Sequence, residues 1–376
     1  MKGPLSSHKK VLIISSEFPP NTGGIGNHAF HIAQWLSKQQ YQVTVLADIA
    51  GYSDSPINNF SSTLPFTLIP VLRKEFVVFT YASRMVKALQ QAAKSDVIIC
   101  SGKFSLWLMM AIGICFAGKK RIAVVHGSEL DLKQPWAKKL TTKALGYANA
   151  IISVSHYTKQ FIPATLTQKI PVYIIPNGIS IKDFDGFADK EKSTDATLQL
   201  ITIGSVSERK GQLNVIQALP ELLLHYPNLQ YHIVGKPVMQ PMLEKTINAL
   251  HLKPYVVFHG IMEQQQMLQL LAQCHIKLML SNHTSSGDFE GFGIAILEAN
   301  ALGLPAIGSS NSGIADAIKN GETGILVMPA DIAAITAATQ QIINNYTAFS
   351  TAALEWAKQH DWQLIIQQYI AIIEGN

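Results

Sequence analysis

The sequence predicts an α/β protein made of two doubly wound parallel sheets, and three observations carry that expectation. Short β-branched runs alternate with longer stretches of helical periodicity, the alternation breaks at a polar segment near residue 182 and resumes near 198, and 376 residues suit two domains of ordinary size. Charged residues are only 15% of the chain and hydrophobic ones 48%, which supplies buried cores and excludes a disordered protein.

The expected strands of the first sheet are residues 11–15, 42–47, 66–71, 97–100, 122–126, 151–155 and 172–176. Each is a short apolar run without strict alternation, as strands covered by helices on both faces should be. A periodic stretch over 28–36 reads as the first helix. The longest apolar stretch, 104–118, is interrupted by Ser105 and Gly113 and falls short of the roughly 20 residues that span a bilayer, so a buried helix is expected. Residues 182–199, rich in Asp, Lys and Ser, read as a linker. The second set of strands is expected at 198–204, 229–235, 256–260, 276–281, 305–309 and 324–327, and the tail 351–373 is helical in pattern, with Trp356 and Trp362 as anchors. This divides the chain into a first domain at 1–185, a second at 186–350 and a tail at 351–376 that packs back towards the first. Ligands of such sheets collect at the carboxyl ends of the strands, so a cleft between the sheets is the expected site.

The net charge of +5 hides an asymmetry: residues 1–180 carry 19 Lys+Arg against 7 Asp+Glu, giving +12, and residues 181–376 carry 11 against 18, giving −7. The basic half suits an anionic partner, either a membrane surface or a phosphate-bearing substrate, unless it is only a solvated face. Nucleic acid is not expected, because no recognition-helix signature, zinc spacing or aromatic RNP-like strand accompanies the charge. The first apolar run, 11–14, is too short for a secretory signal. Three scattered cysteines, Cys100, Cys115 and Cys274, point to free buried thiols in a reducing compartment.

The densest motif is Glu290-Gly-Phe-Gly-Ile-Ala-Ile-Leu-Glu298. From Ile294 the apolar positions Ile294, Leu297 and Ala301 follow helical spacing, and Glu298 falls in the same stripe, where a carboxylate needs donors such as a pair of ribose hydroxyls. Glu290 precedes the glycines, roughly 12 Å away at about 1.5 Å per helical residue, too far to share a metal or a proton but suited to two parts of one long ligand. A satisfied buried glutamate beside an unrelated loop glutamate is the competing account. After the first strand, Gly23, Gly24 and Gly26 permit close backbone approach at a helix N-terminus, either as a phosphate cradle or for turn geometry alone. Their spacing fails the dinucleotide fingerprint, and Asp48 at the second strand's end does not clearly rescue it. His126 ends the fifth strand, where it could exchange hydrogen bonds with a reacting hydroxyl. Arg209 and Lys210 open a helix after the eighth strand, the chemistry that a diphosphate requires, or else a solvated basic pair. The acidic pairs Asp183/Asp185 and Glu129/Asp131 lack the partners of a metal site.

The order of these motifs, Gly23-Gly24-x-Gly26, His126, Pro176-Asn177-Gly178, Arg209-Lys210-Gly211, Glu290-x7-Glu298 with Gly291-Phe292-Gly293, and Asn320-Gly-Glu-Thr-Gly324, resembles the family 4 glycosyltransferases of the GT-B fold over nearly the whole chain. The resemblance implies two Rossmann-like domains facing a central cleft, with the C-terminal helix bracing them. It further implies a retaining transferase that moves a hexose such as mannose, glucose or an N-acetylhexosamine from a UDP- or GDP-sugar to a glycan or a polyprenyl- or other lipid-linked acceptor. Cell-surface polysaccharide or glycolipid assembly would be its setting, at the cytoplasmic face of a membrane and without metal or cofactor. By that resemblance Glu298 would bind the ribose, Lys210 and Arg209 the diphosphate, and Glu290, with Gly291, Phe292 and Gly293, the donor sugar. Gly23 and Gly24 would approach the phosphate and sugar, and His126 the sugar or reacting hydroxyl. Ser205 stands where many relatives place an arginine, and Ser312-Gly313 where Gly-Gly is frequent. A sugar-nucleotide epimerase or a catalytically idle nucleotide-sugar-binding subunit would use the same donor site, and a dehydrogenase is disfavoured by the failed fingerprint.

Overall fold

The computed structural model describes residues 9–20, 23–49, 60–72, 77–187, 197–284 and 287–375. Arg73 and Lys74 of the basic half, and the middle of the expected linker, lie outside the described residues. The chain forms two compact units, Met1–Asn177 with Trp362–Asn376, and Gly178–Asp361.

The first unit holds seven parallel strands, β1 (Lys10–Ser15), β2 (Gln42–Ile49), β3 (Thr67–Leu72), β4 (Val97–Ser101), β5 (Lys120–Val125), β6 (Ala150–Ser153) and β7 (Val172–Ile174), in the order β3-β2-β1-β4-β5-β6-β7. Leu12, Ile14, Ile98, Cys100, Ala123 and Val125 form one face of its core, where helices such as Lys103–Cys115 pack, and helix Gly24–Lys38 packs against β1 and β2. The expected strand positions are therefore met, because each needs a run of apolar side chains to be covered on both faces.

The second unit holds six parallel strands, β8 (Gln199–Ile203), β9 (Gln230–Val234), β10 (Val256–Gly260), β11 (Ile276–Met279), β12 (Ala306–Ser309) and β13 (Gly324–Val327), in the order β10-β9-β8-β11-β12-β13. Leu200, Tyr231, Ile276, Leu278 and Ile307 join Val215 and Leu219 of helix Gln212–His225 and Ile335 of helix Ile332–Asn344 in its core. In both sheets the strand order reverses at one place, between β1 and β4 and between β8 and β11. Loops that leave the carboxyl ends there diverge and open a crevice, so each unit has one preferred ligand position of its own.

Two expectations are corrected. The tail is not one helix: Tyr346–Gln359 stays in the second unit, and the chain breaks at His360–Asp361 before Trp362–Glu374 packs on helix Gly24–Lys38 of the first. Ring contacts account for that docking, with Trp362 stacked 5.4 Å from His31 and Tyr369 Oη 3.0 Å from His28 Nε2. Trp356, by contrast, anchors within the second unit, its Nε1 donating to the Ala317 carbonyl at 2.9 Å. None of the three cysteines forms a disulfide, but Cys115 is exposed, since it ends its helix on the solvent side while Cys100 and Cys274 are buried. No described helix is long and apolar enough to cross a membrane.

Candidate active site

The second unit concentrates charge at its strand reversal. β8 runs into Gly204, and a short 3-10 turn at Glu208–Lys210 leads through Gly211 into helix Gln212–His225. Gly211 has φ +72°, and a Cβ there would lie 1.7 Å from the Leu280 carbonyl oxygen, so only glycine lets this turn sit on the end of β11. Gly204, at φ +140°, leaves room for the Lys210 side chain to cross it, since a Cβ would stand 3.0 Å from Lys210 Cε. The turn is tied from below: Asn282 donates its backbone N–H to the Arg209 carbonyl at 3.0 Å and Nδ2 to the Glu208 carbonyl at 3.2 Å. Asn214 Nδ2 in turn donates to the Leu280 carbonyl and to Asn282 Oδ1, at 2.9 and 3.1 Å.

Glu290 reaches this turn from the other side of the reversal. Its Oε2 accepts from Arg209 and stands 2.9 Å from Lys210 Nζ. Burial alone would raise the Glu290 pKa, but Lys210 and Arg209 together outweigh burial and hold the carboxyl below its ordinary range. The loop is fixed by Gly313, whose N–H donates to the Glu290 carbonyl at 2.8 Å and whose missing Cβ would meet the Gly291 carbonyl oxygen at 2.0 Å. Gly293, at φ +96°, turns the chain into helix Ile294–Asn300. Phe292 points inward, 2% exposed, with its ring 6.2 Å from His360, so what it offers a ligand is backbone rather than side chain. Glu298, one turn along the helix from Ile294, is half-buried. Burial raises its pKa, and Lys277 and Lys210 counter the rise.

Five of the residues singled out from the sequence are thus joined in one unit: Arg209, Lys210 and Glu290 in direct contact, Glu298 in electrostatic contact with Lys210, and Gly293 shaping the loop. Ser205 is exposed and contributes no cation, and Arg209 supplies the second positive charge near Lys210. Sequence reasoning missed Asn214, Asn282 and Lys277, and it named Gly313 without its contact to the Glu290 loop. An asparagine directly after the expected run 276–281 was a usable signal for Asn282, because strand ends carry the polar groups that tie neighbouring loops.

In the first unit Gly23 precedes helix Gly24–Lys38 in extended conformation, and a Cβ on it would collide with Glu17 Oε2 at 2.1 Å. Gly24 is open, with nothing within 4 Å of such a Cβ. Burial raises the Glu17 pKa, with a backbone hydrogen bond from Gly26 opposing the rise. His126 leaves the end of β5, its Nε2 2.9 Å from Ser101 Oγ and its N–H donating to Glu129 Oε1 at 2.5 Å. Burial pulls the imidazole down to about 4, so it is neutral at pH 7 and serves as a hydrogen-bond partner rather than a strong base. Its ring meets that of His28 edge to face at 4.9 Å. Asp48 is engaged by Arg84 through both carboxylate oxygens, with Arg84 Nε donating to Oδ1 at 2.9 Å, so it already serves as a structural ion-pair partner. Among the described residues no group of three or more His, Cys, Asp or Glu side chains is placed to hold a metal ion.

Comparison with known proteins places both units. The family described as glycosyltransferase family 4 matches residues 22–183, and the glycosyl transferases group 1 match residues 183–360. A Corynebacterium glutamicum protein described as a GDP-mannose-dependent monoacylated alpha-(1-6)-phosphatidylinositol monomannoside mannosyltransferase is 24% identical over 339 residues, 87% of either chain. A GDP-mannose-dependent alpha-(1-6)-phosphatidylinositol monomannoside mannosyltransferase of Mycolicibacterium smegmatis is 24% identical over 381 residues, 94% of either chain. Among solved structures, Anabaena HepE in complex with UDP superposes with a TM-score of 0.77 at 18% identity, covering 98% of this chain and 100% of that one. With its two parallel sheets, the order of its motifs and two family matches that together run from residue 22 to 360, the chain belongs to the family 4 glycosyltransferases of the GT-B fold and is a glycosyltransferase.

Proposed function

We propose that this enzyme moves a hexosyl group from a UDP- or GDP-sugar to a glycan or lipid-linked acceptor, with retention at the anomeric carbon, in cell-surface polysaccharide or glycolipid assembly. The observation that carries the reading is the convergence of Lys210 and Arg209 on Glu290 at the strand reversal of the second sheet. Two cations face one carboxylate there, which leaves a net positive site for a diphosphate. Lys210 and Arg209 bind the diphosphate, Glu298 accepts from the ribose hydroxyls and Glu290 accepts from the donor sugar. As the bond from the anomeric carbon to the diphosphate oxygen breaks, negative charge grows on the leaving group, and the two fixed cations stabilise it without a metal ion. The acceptor hydroxyl attacks from the same face and its proton passes to the departing diphosphate. Gly23 and Gly24 give the sugar and phosphate close approach to backbone, and neutral His126 hydrogen-bonds the sugar or the reacting hydroxyl.

The relatives support a nucleotide-sugar donor, since two are described as GDP-mannose-dependent and HepE was crystallised with UDP and with UDP-glucose. Their phosphatidylinositol acceptors support a lipid-linked acceptor here. Peripheral attachment to an anionic membrane has its own support in the first unit. Tyr81, Phe104, Trp107 and Trp136 form a ladder with ring centroids 5.6, 5.4 and 5.8 Å apart, and Lys103 lies over Phe104 and Trp107. Val78, Phe79 and Trp136 in the same unit are exposed, the pairing of aromatic bodies with cations that suits a headgroup layer. Thermal stabilisation by a panel of nucleotides and nucleotide sugars tests the donor site.

A further inference from the structure

Lys277 is the least expected side chain in the second unit. It stands in the middle of β11, fully buried at 0% exposure, and its Nζ has no hydrogen-bond partner among the described residues. A buried ammonium without a partner is costly, and a methionine would fill the same space at no such cost. Its neighbours say which way it points. Ile276 and Leu278 belong to the core under helices Gln212–His225 and Ile332–Asn344, so alternation sends Lys277 and Met279 to the opposite face. Met279 Sδ lies 3.6 Å from where a Cβ on Gly293 would stand, which puts that face under helix Ile294–Asn300, the helix that carries Glu298. The register partners on β12 are small, Ala306 beside Lys277 and Gly308 beside Met279, and neither carries a polar side chain that could pair with the ammonium.

The charged and titratable groups that act on Lys277 are Glu298, which favours its ammonium form, Lys210, which opposes it, and Cys274 just before the strand. The flanking strands bring none, since β8 is Gln-Leu-Ile-Thr-Ile and β12 is Ala-Ile-Gly-Ser. Lys210 is the cation that also holds Glu290. Lys277 therefore lies on the sheet face covered by the helix that carries Glu298, within electrostatic reach of Glu298 and Lys210 but hydrogen-bonded to neither. Burial first and then Lys210 bring its ammonium down to about 7, against the pull of Glu298.

We propose that Lys277 is a positioning residue of the nucleotide subsite, and that nucleotide binding drives a proton from solvent onto its Nζ so that the ammonium holds Glu298 as a carboxylate facing the ribose. The inference rests on the reading of Glu298 as the ribose ligand and of Lys210 as a diphosphate ligand. A bound diphosphate offsets the charge of Lys210, which removes the repulsion that suppresses the Lys277 ammonium. Glu298 must be ionised to accept from two hydroxyls, and a cation directly behind it favours that form. Binding and protonation are then linked, and affinity is highest below about pH 7 and falls as pH rises above it.

Calorimetric titration with UDP and GDP at pH 8, in phosphate and in Tris buffer, reads the proton directly because the two buffers differ in ionisation enthalpy. The wild-type protein should take up between half and one proton per nucleotide, and its affinity should fall by up to roughly tenfold per pH unit above about pH 7, the limit for a single linked proton. In Lys277→Met the uptake should vanish and the pH dependence flatten, with affinity at pH 7 roughly tenfold weaker, the loss of one charge-assisted contact. A Lys277→Met protein that still takes up the proton overturns the inference. So does wild-type uptake near zero, a result that needs no variant to fold. Failure of both nucleotides to bind at all would instead remove the donor-site reading on which the inference stands, and the inference with it.

Discussion

Glu290→Gln separates the two tasks assigned to Glu290. Its Oε2 accepts from Arg209 and lies 2.9 Å from Lys210 Nζ, with the Lys210 and Glu290 side chains only 13% and 15% exposed. A diphosphate that takes those cations must share or replace this carboxylate, and a charge-assisted hydrogen bond of that kind contributes about 1.5–3 kcal/mol. Glutamine keeps the shape and removes the charge. If the released cations return about half of that energy to the ligand, the nucleoside diphosphate binds roughly three- to tenfold tighter. Turnover moves the other way, because a lost contact to the sugar in the transition state costs about 10²–10³ in kcat. Calorimetry with the free nucleotide and initial-rate measurement with the sugar nucleotide read the two effects. Weaker nucleotide binding, or unchanged kcat, would refute the assignment of Glu290 to the sugar with Lys210 and Arg209 on the diphosphate.

Two further outcomes follow from the first unit. Burial holds His31 and His126 at about 4, below the 6.5 of an exposed imidazole, so the unfolded chain binds protons first and stability is lost as pH falls from about 6.5 towards 4. At pH 5 each contributes a loss of about 2 kcal/mol, and the stability difference between wild type and His31→Phe, from urea denaturation at pH 7.5 and 5, should shift by about that amount. A shift below about 0.5 kcal/mol would mean that His31 is not kept neutral by its burial against Trp362. For the exposed aromatic and basic face, the protein should sediment with vesicles containing anionic lipid but not with neutral ones. Phe79→Ser with Trp136→Ser should weaken that partition, and equal partition into both vesicle types would sink the membrane reading.

The strands were legible because a parallel sheet covered on both faces demands short unbroken apolar runs, and each run from 11–15 to 324–327 overlaps the strand observed there, the first six being offset by one or two residues at an end. Arg209, Lys210, Glu290 and Glu298 were legible because charge at a strand end is conspicuous in a chain with few charges. The break at His360–Asp361 was not, since the apolar spacing runs through it and only Ile179, whose N–H donates to the His360 carbonyl at 2.9 Å, shows why the chain turns there. Lys277 gives no signal of its own, because nothing local distinguishes a lysine buried beneath Glu298 from a solvated one. The ties made by Asn214 and Gly313 were invisible for the same reason: Asn214 reaches residues 66 and 68 positions away, and Gly313 is needed for a peptide in another loop.

The claim on which the rest depends is that the second unit binds a nucleotide sugar through Lys210, Arg209 and Glu298. Thermal denaturation with UDP, GDP, ADP and their sugars tests it most directly, in wild type and in Lys210→Ala. One nucleotide class should stabilise the wild-type protein by about 2.7 kcal/mol at 100 times its dissociation constant, and far less at the same concentration in Lys210→Ala. No stabilisation by any of them, or equal stabilisation of both proteins, would contradict it.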